Sequence, residues 1–270
     1  VTSGHHDNSD DTDPQSATTP RAASNTTQNA TKVALITGVA RRVGRATTLE
    51  LARHGYDIVG TVRADDADSA SLRREVEQLG RRCELLPIDL ELPDADARIA
   101  AFALDRFGRV DAVVNNASLY EPDSPAGPTA SLSRRLMWVN HDLPTQLVLR
   151  LADALRATAG AVVNLIDLQA ERPMPGYAAY CATKAAFANA TLSLARRLAP
   201  QVRVNGLSPG MIGPVKPDAQ VDATAYLKRV PLARPGEFAE AAKVIRFLIA
   251  EATYMTGQIV RVDGGRSIVG

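Results

Sequence analysis

The chain has 270 residues, a formal net charge of +1, and 45% hydrophobic residues. Such a chain buries a core of one or two domains, and its near-neutral charge excludes a long-range field drawing it to nucleic acid or an acidic membrane. No apolar run reaches the length of a membrane span and no secretory pattern is read at the start, so a cytoplasmic protein with no membrane or nucleic-acid partner is expected.

Residues 1–31 are rich in Ser, Thr, Asp, Asn and Ala and have little to bury, which predicts a disordered N-terminal tail. His5 and His6 lie in that stretch; with His54 and His141 they form no metal-ligand pattern, so no metal site is expected. Cys83 and Cys181 are far apart without ligand spacing and read as reduced thiols. From Lys32 onward apolar strand patterns alternate with helical ones. Strands are predicted over 33–37, 58–62, 83–88, 112–115, 161–166, 202–207 and 259–262. Helices are predicted over 44–54, 71–79, 144–157 and 177–198, among others. Repeated strand–helix–strand units with apolar strands imply a parallel sheet covered on both faces, and right-handed crossovers wind it doubly. The fold class is therefore α/β, a Rossmann-type doubly wound parallel sheet, with residues 32–270 as one dinucleotide-binding domain.

The stretch 37–44, TGVARRVG, lies between the first strand and the first helix. A pyrophosphate meets a helix N-terminus at that point, where N–H groups are free and the dipole end is positive. Gly38 permits the tight turn and Gly44 the close packing of the helix; an ordinary strand-to-helix turn is the plainer alternative. Arg42 has the reach to bridge a diphosphate and a group lying over the nicotinamide, with a planar fork suited to bidentate contacts. At the end of the second strand an acid would hold the ribose hydroxyls of NAD and repel a 2′-phosphate. Here Arg63 stands near that position with Arg41 in the adjoining loop, which favours NADPH, although Asp65 and Asp66 follow closely.

Tyr180 and Lys184 stand four apart, on one helical face. A phenol titrates near pH 10 and a neighbouring ammonium favours the phenolate, so Tyr180 is expected to exchange a proton with substrate near neutral pH. Asp167 ends the fifth strand, 13 residues before Tyr180. Burial beside the tyrosine would raise its pKa and keep it protonated; the plainer alternative is an aspartate capping the next turn.

The phosphate loop and the Tyr-x-x-x-Lys pair resemble those of the short-chain dehydrogenase/reductase family, and the resemblance covers about residues 32–270. It implies that Val43 belongs to the cofactor loop, that Asp89 and Leu90 contact the adenine, and that Asn116, Ala117 and Ser118 stand for its Asn-Asn-Ala-Gly stretch. It also implies that Lys184 binds the nicotinamide ribose, that Asn140 supports a water near the lysine, and that Pro209 and Gly210 flank the carboxamide. The family often forms homotetramers, which is the assembly expected here.

Three departures coincide. Arg42 replaces a loop glycine, Asp167 replaces the serine that polarises a carbonyl, and Ser118 is followed by Leu119 and Tyr120. Together they resemble the pteridine reductase branch. That resemblance implies a flat pterin or folate ring stacked between nicotinamide and Tyr120, with Ser118 and Arg42 on its polar edge and Tyr180 and Asp167 at the reacting nitrogen. Two alternatives remain: a reductase of another ketone or imine, and a catalytically silent NADP-binding regulatory protein.

Overall fold

The computed structural model describes residues 1, 4, 31–214 and 223–269. The expectation of a disordered tail over 1–31 lies outside the described residues, apart from Val1, Gly4 and Thr31. In chain order the elements are β1 (Lys32–Ile36), α1 (Arg42–Arg53), β2 (Tyr56–Val62), α2 (Ala67–Gln78), β3 (Cys83–Pro87), α3 (Ala95–Phe107), β4 (Ala112–Asn115) and α4 (Ala130–Met137). Then come α5 (Leu143–Arg150), α6 (Ala152–Ala157), β5 (Ala161–Leu165), α7 (Ala178–Leu198), β6 (Arg203–Pro209), α8 (Ala223–Leu227), α9 (Phe238–Ala250) and β7 (Ile259–Val262).

The seven strands form one sheet in the order β3-β2-β1-β4-β5-β6-β7, and every pairing is parallel. Strand order reverses between β1 and β4, where a doubly wound sheet leaves a crevice beyond its carboxyl ends.

Strand β1 shows why the sheet is covered twice. Its side chains alternate, so Val33 and Leu35 pack with α3, α5 and α7 residues such as Ile99, Leu147 and Leu194. Ala34 and Ile36 face the other way, onto Leu51 of α1, Leu72 of α2 and Ile245 of α9. A continuous apolar strand is what two buried faces require.

Local details depart from the pattern reading. Helix α2 starts at Ala67, before the expected residue 71, because Asp66 caps it, accepting from Ser69 N at 3.0 Å. The helix expected over 144–157 is two, α5 and α6. At Leu151 the backbone shifts to φ −91°, ψ 3°, while the bonds from its N–H to Leu147 O and from Leu155 N–H to its carbonyl persist. Between α4 and α5 a π-helical turn, Trp138–Asp142, carries Asn140. Strand β6 runs on to Pro209 because Ser208 and Pro209 lie in register with Arg261 and Val262 of β7.

Among the described residues no helix is long and apolar enough to cross a membrane, and no group of three or more His, Cys, Asp or Glu side chains is placed to hold a metal ion.

Candidate active site

A cleft of about 870 Å³ opens over the carboxyl ends of the strands. One end is built by the turn from β1 to α1. Gly38 takes φ +71°, its N–H held by Thr61 O at 3.1 Å and Thr61 Oγ1 at 3.0 Å. A Cβ on Gly44 would lie 2.0 Å from Gly38 O, so Gly44 sits behind the turn and lets α1 start directly against it. Asn116 Nδ2 donates to Thr37 O (2.8 Å) and Gly38 O (3.0 Å), while the Asn116 and Ala117 N–H groups donate to Thr37 Oγ1. The turn is thus fastened from both neighbouring strands.

Arg41 is the extended N-cap residue of α1 and gives the first turn no side-chain hydrogen bond, leaving its N–H groups available to an anion. Arg42 follows at φ +53°, a left-handed conformation that costs a non-glycine residue about 1–3 kcal/mol. The chain keeps the backbone of a glycine there while carrying a guanidinium.

Gly38, Arg41, Arg42 and Val43 line this end of the cleft, with Arg63 just beyond β2, Asp89 and Leu90 beyond β3, and Pro209 and Gly210 at the end of β6. The arginines are in different electrostatic states. Arg41 pairs with Asp68 at 2.5 Å and Asp66 at 3.3 Å. Arg42 and Arg63 form no ion pair among the described residues. Asp89 accepts from Glu91 N at 2.9 Å, so one of its oxygens holds its own turn.

At the other end Tyr180, on α7, donates its hydroxyl to Asp167 Oδ2 at 2.8 Å. Asp167 Oδ1 accepts from Gln169 N at 2.9 Å, capping the 3-10 turn Leu168–Ala170. The carboxyl therefore both caps a turn and touches the tyrosine. Burial pushes Asp167 above the usual carboxylate range, while the bonds from Gln169 and Tyr180 and the Lys184 charge pull it back.

The expectation that Lys184 draws Tyr180 toward phenolate is corrected. Burial first, then the adjacent Asp167, hold Tyr180 well above the ordinary phenol value. Lys184 Nζ is spent on Leu165 O at 3.0 Å and sits 5.8 Å from the Tyr180 ring centre, whereas Asp167 touches the hydroxyl. Burial also pushes Lys184 down to about 8, against the upward pull of Asp167. Tyr180 thus keeps its proton and shares it with Asp167 through the hydrogen bond.

Tyr120 stacks on Tyr177 (4.5 Å between centres, 16° between planes) and meets Tyr180 edge-on at 4.8 Å. Its hydroxyl shares hydrogen bonds with Tyr177 and Gln169; burial first, then Tyr177, raise its pKa against the downward pull of Gln169. Tyr177 and Gln169 are missing from the sequence-derived site. Tyr177 is the N-cap residue of α7, outside the helical repeat that made Tyr180 and Lys184 legible, and it reaches the site through its stacking on Tyr120.

Asn140, expected to support a water near Lys184, commits its side chain to the loop before it. Its Oδ1 accepts from Leu119 N (2.8 Å) and Ser118 Oγ (3.0 Å), and its Nδ2 donates to Leu119 O (2.9 Å) and Thr183 Oγ1 (3.2 Å). The side chain fixes the loop bearing Ser118 and Tyr120 to α7, which makes it a positioning residue. Deeper, Asn115 Nδ2 donates to Asn164 Oδ1 and Asn164 Nδ2 to Thr191 Oγ1, tying β4 and β5 to α7.

These residues fit a dinucleotide: a glycine cradle and free helix N–H groups suit its diphosphate, and the same cleft runs on to a tyrosine and a buried lysine at the reacting end. The class so defined is a dinucleotide-dependent oxidoreductase. The family described as Enoyl-(Acyl carrier protein) reductase matches residues 38–267. The chain belongs to the short-chain dehydrogenase/reductase family, whose members bind a nicotinamide cofactor.

A 3-oxoacyl-[acyl-carrier-protein] reductase FabG of Staphylococcus aureus is 31% identical over 250 residues, covering 87% of this chain and 98% of its own. An acetoin dehydrogenase structure from Enterobacter cloacae superposes with TM-score 0.82 at 31% identity, covering 90% of this chain and 98% of its own. FolM Alternative dihydrofolate reductase 1 from Brucella suis, in complex with NADP, superposes with TM-score 0.79 at 30% identity, covering 88% and 96%.

Proposed function

We propose that the chain is an NADPH-dependent reductase of a pterin-like ring, converting a dihydropterin or dihydrofolate to its tetrahydro form. The observation that carries this reading is the hydrogen bond from Tyr180 to Asp167, at the position where carbonyl-reducing relatives use a serine. A carboxylate repels a developing alkoxide, but a carboxyl whose pKa burial raises suits a nitrogen that must receive a proton. The aromatic wall of Tyr120 beside Tyr180 suits a flat ring, and the NADP-bound FolM structure is compatible with both cofactor and substrate class.

A bound nicotinamide cofactor supplies the hydride. Tyr180 and Asp167 hold the proton that goes to the adjacent ring nitrogen, and Asp167 recovers a proton from solvent after turnover. Lys184 supplies positive charge at the buried end and a donor for the ribose. Arg42 and Ser118 face the polar edge of the ring, and Tyr120 stacks on its face. Arg63 supplies the charge that a 2′-phosphate needs, and Arg41 adds to it where the phosphate displaces its partners Asp66 and Asp68. Cytoplasmic residence and homotetrameric assembly belong to the same proposal; Cys83 and Cys181 are both free and buried, as a reducing compartment allows.

A second reading, reduction of a 3-oxoacyl or other ketone, is favoured by the FabG relative. The test is NADPH oxidation with dihydrobiopterin, dihydrofolate and a panel of ketones and 3-oxoacyl thioesters. Preferential turnover of the dihydropterins supports the proposal, and turnover confined to ketones overturns it. Cofactor binding with no turnover of any substrate favours a regulatory role.

A further inference from the structure

The cofactor end of the cleft carries a contact that runs against its own apparent purpose. Arg41, in the loop that would face a 2′-phosphate, is held by two carboxylates from the start of α2. Asp66 is committed to the helix cap, with Oδ1 bound by Ser69 N and Oγ, and only its Oδ2 reaches Arg41, at 3.3 Å. The Asp68 side chain makes the closer contact, 2.5 Å to Nε, and pairs with no other cation among the described residues. Arg45, one turn into α1, adds a bond to Asp68 O and an ion pair with Glu75, so α2 is strapped along the loop.

We propose that Asp68 is a cofactor-selectivity residue: by holding Arg41 it opposes binding of the 2′-phosphate, and with Asp66 it shifts the site toward the 2′-hydroxyl of NAD(H). The inference rests on the nicotinamide cofactor of the family and concerns how strongly this chain discriminates between its two forms. A dianionic 2′-phosphate brought to Arg41 must displace Asp68 or stay beside it. Displacement loses an ion pair, and staying leaves like charges within a few ångströms. A 2′-hydroxyl has no such conflict and can donate to a carboxylate. Arg63 forms no ion pair among the described residues and attracts the phosphate, so selectivity is the difference between Arg63 pulling and Asp68 withholding.

Arg41 and Asp68 are 69% and 49% side-chain exposed, so the pair is screened and yields readily. The expected effect is therefore modest.

The experiment measures dissociation constants for NADPH, NADH, 2′-AMP and 5′-AMP by calorimetry on wild type, Asp68→Asn, Arg41→Ala, and the two combined. Asp68→Asn is expected to tighten NADPH and 2′-AMP about two- to fivefold, the size of one exposed ion pair, and to leave NADH and 5′-AMP unchanged. The gain should vanish without Arg41 and shrink at high salt. Asp66→Asn, which keeps a capping side chain, should move the same way by less, and covers the case of an ill-folded Asp68 variant. No change, equal tightening of NADPH and NADH, or a gain that survives loss of Arg41 overturns the inference. Arg63→Ala in the same series separates the claims. If it leaves NADPH binding intact while Asp68→Asn tightens it, the assignment of Arg63 fails and that of Asp68 stands; the reverse result does the opposite.

Discussion

At the loop end of the cleft, Arg41 is 69% side-chain exposed and shares its charge with carboxylates that also face water. At the catalytic end, Tyr180 and Lys184 are 4% and 3% exposed, and every proton there answers to burial. Solvent screens the ion pairs of the first set, so those pairs yield readily and respond to salt. Desolvation governs the second, raising Asp167 and Tyr180 and lowering Lys184. One cleft thus separates recognition from proton chemistry by depth.

The sharpest way to break this contrast is at Asp167. Asp167→Ala is expected to cut dihydropterin turnover about 10²–10⁴-fold, the range of a general acid, while NADPH affinity stays near wild type. Steady-state kinetics with a binding titration checks both. At the exposed end, Arg63→Ala is expected to weaken NADPH about ten- to a hundredfold, the loss of a charge-assisted contact, and NADH far less. Equal losses for both cofactors would remove the 2′-phosphate assignment.

The pH profile sharpens the contrast further. Lys184, pushed down to about 8, and Asp167, pushed up from the carboxylate range, both lose protons as pH rises. The proton donor and the buried charge therefore weaken in the same direction, and kcat/KM for the dihydropterin should fall by about tenfold per pH unit above the controlling pKa. A profile flat from pH 6 to 10 would mean that neither group controls the rate. The smallest effect is expected from deleting residues 1–28, which should leave turnover and melting temperature nearly unchanged because that composition has little to bury.

Much of the framework was legible because it rests on local periodicity. Strands β4 and β7 fall on the expected residues, 112–115 and 259–262: β4, buried on both faces, reads as an apolar run bounded by turns, and β7, an edge strand with Arg261 exposed, as a short apolar segment closed by the turn at Asp263. Tyr180 and Lys184 were legible through their four-residue spacing. What local pattern does not carry are contacts across the chain. The Arg41–Asp68 pair joins positions 27 apart, and Asn140 reaches Leu119 across 21, both set by how helices pack on the sheet. The Tyr180 proton was misjudged for the same reason: the lysine spacing was visible, but the carboxyl touching its hydroxyl and the burial around it are tertiary. The Asp66 cap was local and readable, an aspartate three residues before a serine N–H at a helix start, and would have moved α2 to its true beginning.

On the proposed reading, the residue at position 167 decides whether the site protonates a ring nitrogen or a carbonyl oxygen. The direct measurement is the ratio of dihydrobiopterin to ketone turnover in Asp167→Ser against wild type, with NADPH binding verified in both. Dihydropterin reduction should collapse while slow ketone reduction emerges, inverting the ratio. Near-normal dihydropterin turnover in Asp167→Ser, with no gain on ketones, would contradict the account and leave Asp167 as the cap of a turn.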